Sequence, residues 1–213
     1  MCMGRDAVAV IADIIGSREL PDRRAGQEQV LRAFARAEEH AGATVPAYAA
    51  VGDEFQAVYD SAEQAVVSTT IVALSLPEGL ELRFGIGAGE DRIVDESGSV
   101  PIRDGSAWWR AREAIDHVKQ AQRSGRSRAT TAFVHDGGGE ERAIRGLLLL
   151  RDHIVGDMRA RDRRIALAGL EEVPQARTAE AEGIRQSAVS QSWHRSGAAA
   201  VVEMLRQLEG ARS

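Results

Sequence analysis

The chain has 213 residues, 44% of them hydrophobic and 28% charged, with a formal net charge of −5. This length suits one domain of about 140–150 residues plus a smaller one. No apolar run approaches the roughly 18–20 residues of a membrane span, and the only cysteine, Cys2, excludes an intrachain disulfide and a cysteine-based zinc cluster.

The N-terminus, MCMGRDAVAVIADIIG, has a short apolar stretch interrupted by Asp13, the pattern of a buried strand and not of a signal peptide. A cytoplasmic protein is expected. Residues 7–15, AVAVIADII, end at Gly16-Ser17-Arg18, as a buried strand does when it enters a loop that opens a helix. Residues 25–41 place Val30, Leu31, Phe34 and Ala37 at helical spacing, and Gly42 stops the helix. AYAAV (47–51), Gly52-Asp53 and EFQAVYD (54–60) read as two short strands joined by a tight turn. Ser61 caps a second helix that runs to about Leu76, where Pro77-Glu78-Gly79 breaks it.

LELRFGIGAG (80–89) alternates like a strand, residues 90–104 read as an irregular loop with Gly98 and Pro101, and residues 106–122 form a third helix. A Ser/Gly/Arg-rich loop (123–128) leads to a last strand at 128–135. The order β-α-β-β-α-β-loop-α-β is the ferredoxin-like plan with an added helix and strand, the architecture of palm domains. After the linker candidate Asp136-Gly137-Gly138-Gly139 the chain reads as helical: 143–158, 159–172, then two short helices flanking Gly183-Ile184. The expected fold is α+β, a palm domain over residues 1–138 and an all-α domain over 139–213.

Charge is uneven: residues 159–213 carry nine Lys and Arg against seven Asp and Glu, which leaves 18 against 25 in the front. An acidic front disfavours nucleic acid as its partner unless metal intervenes, whereas a mildly basic tail permits it.

Asp13 closes the first strand and Asp53 sits in the hairpin turn, and in a βαββ palm these strands are neighbours. Two carboxylates at adjacent strand ends suit Mg²⁺ or Mn²⁺, hard ions that complete their shell with water and phosphate oxygens. The amides of Ile14, Ile15 and Gly16 then lie where a phosphate could be cradled, and Arg18, after Ser17, could grip it bidentately. Each has an ordinary reading too: Asp13 as a strand-end cap, Asp53 as a turn residue, Arg18 as a surface arginine. Glu54 points away from Asp53 if the strand is regular, as a structural residue or a secondary ligand.

VIADIIGSREL (10–20) resembles the first metal strand of class III nucleotidyl cyclases. AAVGDEFQAVYDSAEQAV (49–66) is similar to their second metal hairpin and to the GGDEF hairpin of diguanylate cyclases. LRFGIGAGE (82–90) resembles their R-[IV]-G-I-H-x-G strand, and DGSAWWRAREAI (104–115) their helix carrying N-x-x-x-R. The whole pattern of D-I-x-x-S-R, G-D-E-F-Q, R-x-G-I-G-x-G and D-G-x-A-x-x-x-A-R, with a terminal helix-turn-helix, is most similar to the SatD family of bacterial proteins. The resemblance implies Asp13 and Asp53 as metal ligands and Arg112 as a phosphate-binding cation, catalytic if the chain is active. The cyclase purine-selecting Lys falls on Ala49 and the transition-state Asn on Trp108. Losing one such donor costs on the order of 10²–10³ in rate, so nucleotide binding without efficient cyclisation is implied.

Asp104 and Gly105, at the start of the third helix, either contact a base or ribose or cap the helix. Trp108 and Trp109 either stack on a base or pack into the core or a dimer interface. His40, His117, His135 and His153 share no ligand spacing.

PQARTAEAEGIRQSAVSQSWHRSG (174–197) resembles a helix-turn-helix unit: Pro174 suits a helix start, Ala179 stands four before Gly183, Gly183 permits the turn, and Ile184 and Val189 are apolar anchors. Arg185 replaces the usual hydroxyl cap and Glu182 a customary leucine. The second helix, 185–195, has no acidic residue, and Arg185, Gln186, Ser187, Ser190, Gln191, His194 and Arg195 are types that contact phosphates and base edges. Ala188, Val189 and Trp193 are expected to turn inward. With so little tail charge, DNA affinity requires a homodimer that sets two such helices about 34 Å apart. Helices at this spacing also build protein-binding or dimerisation bundles.

Three readings follow from these residues. The first is a nucleotide- and metal-sensing palm coupled to a DNA-binding tail. The second is a nucleotidyl or phosphoryl transferase with a C-terminal interaction module, and the third a scaffold that binds neither ligand. Ala49 and Trp108 favour the first over the second, and the Asp13/Asp53 pair counts against the third.

Overall fold

β1 (Arg5–Ile14) is apolar on both sides because it lies inside a sheet that has helices on each face. Val8, Val10, Ala12 and Ile14 enter the main core, while Ala7, Ala9 and Ile11 enter a smaller one under α3 (Ser106–Arg123). The computed structural model describes residues 5–50, 52–95, 97, 101–125 and 127–210. Cys2, Val51 and Gly98, used in the sequence reading, lie outside them.

β1 pairs antiparallel with β3 (Glu54–Tyr59) on one side and β4 (Leu82–Asp95) on the other, and β2 (Val45–Ala49) extends the sheet beyond β3. The far edge of β4 carries two short strands. β6 (Thr131–Val134) runs parallel along Phe84–Gly87, and β5 (Ile102–Asp104) antiparallel along Arg92–Asp95. Residues 90–104, expected as an irregular loop, therefore contain strand at both ends: β4 continues to Asp95 because β5 folds back to satisfy its edge. The last strand begins at Thr131, later than the expected 128.

α1 (Arg23–Ala41) and α2 (Ala62–Ser75) cover the main-core face. Asp22 caps α1 by accepting from the Ala25 N–H at 2.9 Å, and Ser61 and Gln64 form a capping box on α2. α2 is buried nearly all round because α1 flanks it on one side and the tail helices on another.

That tail comprises α4 (Gly139–Asp157), α5 (Ala160–Leu170), α6 (Gln175–Glu182), α7 (Gln186–Arg195) and α8 (Ala198–Gly210). Leu148, Val155, Leu167, Leu170, Val201 and Leu205 join the same core as Val67, Ile71 and Leu74 of α2. Of the helices expected as a second domain, α4, α5 and α8 thus contribute to the same core as the palm. α4 is also held to β6 by charge: Asp152 accepts from the N–H groups of Thr130 and Thr131, each at 2.7 Å, and buried Arg151 donates to Thr131 Oγ1 at 2.8 Å. No helix among the described residues is long and apolar enough to cross a membrane.

β4 and α3 approach so closely that two positions of the R-x-G-I-G-x-G stretch admit no side chain. A Cβ on Gly85 would lie 2.2 Å from Ala111 O, and one on Gly87 2.2 Å from Ala111 N. Gly87→Ala is expected to push α3 off the sheet and cost about 1–3 kcal/mol or more. Gly146→Ala, which meets open space on α4, is expected to stabilise by about 0.5–1 kcal/mol. Urea midpoints of the two variants test the contrast.

Candidate functional site

Across the ladder Asp13 faces Glu54 of β3 and Arg83 of β4, so three ionisable side chains leave one end of the sheet on the α3 face. α3 adds Arg112 and Lys119, two turns apart on one side of the helix. Lys119 Nζ lies 2.7 Å from Asp13 Oδ2, and Arg83 Nη1 lies 3.5 Å from Asp13 Oδ1. Arg112 forks onto Glu54, with Nη1 to Oε2 at 2.6 Å and Nη2 to Oε1 at 2.8 Å. The Gln56 amide donates to Glu54 Oε1 at 2.9 Å, and the Tyr48 hydroxyl donates to Gln56 Oε1 at 2.8 Å. Arg83 is oriented by its Nε donating to Gln122 Oε1 at 2.6 Å.

Burial alone would raise the Glu54 carboxyl, but hydrogen bonds from Arg112 and Gln56, with the charges of Arg112 and Lys119, together hold it below its ordinary 4.5. The folded chain thus takes up this proton less readily than the unfolded one. The Glu54–Arg112 pair therefore contributes stability above about pH 4.5 and loses it as pH falls through the lowered folded value. The stability gap between the wild-type chain and Glu54→Gln is expected to be full near neutral pH and to close in acid. Urea unfolding across a pH series reads it, and a gap that widens in acid would refute the assignment.

Asp53 stays in the turn before β3, and the β1–β3 register sets Glu54, not Asp53, opposite Asp13. The carboxylate beside Asp13 is therefore the residue that sequence left as structural or secondary. Among the described residues no group of three or more His, Cys, Asp or Glu converges as a metal cage. Two carboxylates ringed by three cations fit only an ion that completes its shell with water and phosphate oxygens. Such an ion at Asp13 would have to displace the Lys119 ammonium.

The expected phosphate loop is narrower than its sequence suggested. Ile14 lies opposite Leu82 in the sheet, and the Ile15 N–H donates to Glu81 O at 2.9 Å. β1 keeps pairing with its neighbour past its last residue, and that removes the Ile15 amide as a donor to phosphate. Gly16 follows, then a single 3₁₀ turn at Ser17–Glu19 in place of an immediate helix, with Arg18 exposed.

Asp104 ends β5 and accepts from Arg92 Nη2 at 3.0 Å and from the Trp109 indole at 2.8 Å. The Arg92 hydrogen bond, followed by the Gly105 amide and the indole, holds its carboxyl below the usual range. Gly105 occupies the helix cap position without a side-chain cap. Trp109 is exposed, whereas Trp108 is buried and donates to Asp91 Oδ1 at 2.9 Å. Arg103 holds the same buried carboxylate from 3.0 and 2.5 Å.

The profile of the SatD family matches residues 7–207. The chain belongs to the SatD family. Among solved structures this SatD-family protein is similar to a bacterial light-regulated adenylyl cyclase, at 14% identity and a TM-score of 0.46, over 62% of this chain and 77% of that one. It is also similar to the adenylyl cyclase CyaB from P. aeruginosa, at 14% identity and a TM-score of 0.39, over 56% and 82% of the two chains. A regulator of polyketide synthase expression from Bifidobacterium adolescentis matches at 14% identity and a TM-score of 0.31, over 99% and 86%. None of these likenesses assigns an activity to this chain. No curated protein matches it.

In this SatD-family protein α6 and α7 are joined through Gly183, which takes the left-handed conformation at φ 64, and Ile184. Val189, Trp193, Ala179 and Ile184 pack on Ile165 of α5 as a small third core. Val189, Ser192 and Trp193 form the inward stripe of α7, and the Ser192 hydroxyl donates to Asp162 of α5. Ala188, expected to face inward, is exposed, because at about 100° per residue it stands roughly a quarter turn from that stripe. Ser187, Gln191, His194 and Arg195 are exposed on the outward side with Ser190 half-buried, and Arg185 and Gln186 project from the N-terminal end. Glu182, standing where a leucine is customary, is instead gripped by Arg164 through two contacts of 2.7 Å.

Sequence reading missed Arg83, Lys119 and the partnership of Glu54 with Asp13. Lys119 left a signal, since seven residues after Arg112 it must share that helix face. Arg83 stood in the quoted LRFGIGAGE stretch without an assigned role.

Proposed function

We propose that the palm binds a nucleotide with Mg²⁺ or Mn²⁺ and that the α6–α7 unit binds DNA, making the chain a ligand-responsive transcriptional regulator that works in the cytoplasm as a homodimer. The supporting observation is the five-residue charge cluster: Asp13 and Glu54 can serve an ion, and Arg83, Arg112 and Lys119 can serve phosphates. Asp13, aided by Glu54 or by Asp53 from the turn, would hold the ion, which when bound neutralises phosphate charge. Arg112, Lys119 and exposed Arg18 would take phosphate oxygens, with Gly16 and Ser17 beside them and Asp104 at the ribose. Without ligand the carboxylates and cations neutralise one another.

Trp108 favours sensing over turnover, because its indole is buried and committed to Asp91. The second reading, a nucleotidyl transferase with an interaction module, is favoured by the retained Arg112. Incubation with ATP or GTP and Mn²⁺ separates the two. The wild-type chain is expected to yield no cyclic product, and robust product that vanishes in Asp13→Ala would establish the transferase instead.

The outward, acid-free side of α7 supports the DNA role. Arg195→Ala is expected to weaken binding about equally on all sequences and to lower the salt slope by roughly one, while Gln191→Ala costs about 1–3 kcal/mol at one base position. Fluorescence anisotropy on DNA upstream of the protein's own gene and on a scrambled duplex, over a salt series, reads both. Absence of binding at low salt would transfer α6 and α7 to a protein-interaction role.

A further inference from the structure

A cleft of about 860 Å³ opens where the palm meets the tail, between the ends of β1 and β4, the loop before β6, α4 and α5. Its lining includes buried Leu76, Leu80, Leu82, Phe84, Val155 and Met158. Leu149 and Leu150 also border it, yet remain 56% and 64% exposed. The two adjacent leucines extend the apolar lining to the surface as a contiguous patch, the kind that marks a binding groove. α5 contributes Arg163, whose Nε is buried without a hydrogen-bond partner, and Arg128 and Arg159 stand on the same lining. A buried donor left unmade costs stability, so a guanidinium with an orphaned nitrogen on a residue that lines the cleft is a candidate to receive an acceptor. Of the carboxylates present, Asp152 is occupied by the Thr130 and Thr131 amides and Asp157 lies 3.8 Å from His153. Glu78 and Glu81, on the α2–β4 connection, also line the cleft.

We propose that this cleft binds an amphipathic small-molecule anion, with an apolar body of medium-chain fatty-acid size against the leucines and a carboxylate or sulfonate received by Arg163. The volume falls within the range of small-molecule sites, and an apolar lining with a few convergent polar groups is their usual make-up. The cleft borders the charge cluster through Ile15 and Gln122 but includes none of its five charged residues, and the proposal does not depend on the nucleotide reading. α5 also holds α6 and α7, through Arg164 with Glu182 and Asp162 with Ser192, so a ligand at Arg163 touches the helix that positions α7.

The test is titration of the full chain with the aromatic sulfonate 8-anilinonaphthalene-1-sulfonate, followed by fluorescence, with displacement by decanoate and by decanol. Saturable one-site binding is expected in the wild-type chain and in Asp13→Ala. Arg163→Met is expected to weaken it about tenfold or more, the loss of one charge-assisted hydrogen bond. Leu150→Gln, at an exposed position, is expected to leave the melting temperature unchanged and to weaken binding several-fold. Decanoate should displace the dye at concentrations about tenfold below those of decanol, by the same charge-assisted bond. Equal displacement by acid and alcohol, dye binding unchanged in both variants, or no saturable binding would each overturn the proposal. Should Arg163→Met lower the melting temperature, Leu150→Gln and the acid-against-alcohol comparison decide.

Discussion

Asp152→Ala is expected to destabilise the chain by about 3–5 kcal/mol, the cost of stripping a buried charge of its partner. Arg151 is almost fully buried, and burial pulls its proton affinity down against the single opposing carboxylate of Asp152, whose Oδ1 lies 3.0 Å from Arg151 Nε. Removing Asp152 also strands the amides of Thr130 and Thr131, which dock the start of β6 on α4. Arg151→Met should cost clearly less. It leaves Asp152 still accepting from two N–H groups and from Thr131 Oγ1, and the methionine fills much of the vacated volume. Urea unfolding followed by circular dichroism measures both, and the Asp152→Ala loss corresponds to a fall in Tm on the order of 10 °C. A larger penalty for Arg151→Met would show that the guanidinium, not the carboxylate, organises this corner.

A nucleoside triphosphate with Mg²⁺ at about 100 times its Kd is expected to raise stability by about 2.7 kcal/mol, and Asp13→Asn to abolish the metal-dependent share. Lys119→Met separates the roles of the cluster because its two effects have opposite signs. The ammonium 2.7 Å from Asp13 Oδ2 occupies the place of a competing cation. Its removal is therefore expected to tighten binding of Mn²⁺ alone while weakening binding of triphosphate without metal. Calorimetric titration with each ligand reads the two effects. A variant in which both affinities fall together would make Lys119 a structural strut, and a wild-type chain stabilised by no nucleotide would end the sensing proposal.

Much of the framework was legible before folding because it depends on neighbours only a few residues away. The continuous apolar run of 7–15 marks a strand with both faces buried, the alternation of 80–89 a further strand, Ser61 a helix start, and Gly183 the turn between α6 and α7. Local pattern also placed Asp13 at a strand end and Arg112 on a helix. Which carboxylate meets Asp13 was not legible, since that depends on the register of β3 against β1, and a shift of one residue would exchange Glu54 for Asp53.

Sequence by itself thus determined β1 to β3, the start of β4 and the helices α1 to α3, the Ser61 cap, the α6–α7 turn and the placing of Asp13, Arg112 and the α7 side chains in polar stretches. Only the tertiary structure decided that β4 runs on to pair with β5, that Trp108 turns into the core to bind Asp91, and that α4, α5 and α8 close over α2. It also decided that Lys119 and Arg83 gather on Asp13 and that Arg163 faces a cleft shared by palm and tail. The division has one physical cause: capping and periodicity act along the chain over a turn or a strand, whereas pairing register, burial of a charge and the shape of a cleft are set by segments that meet only after the chain has folded.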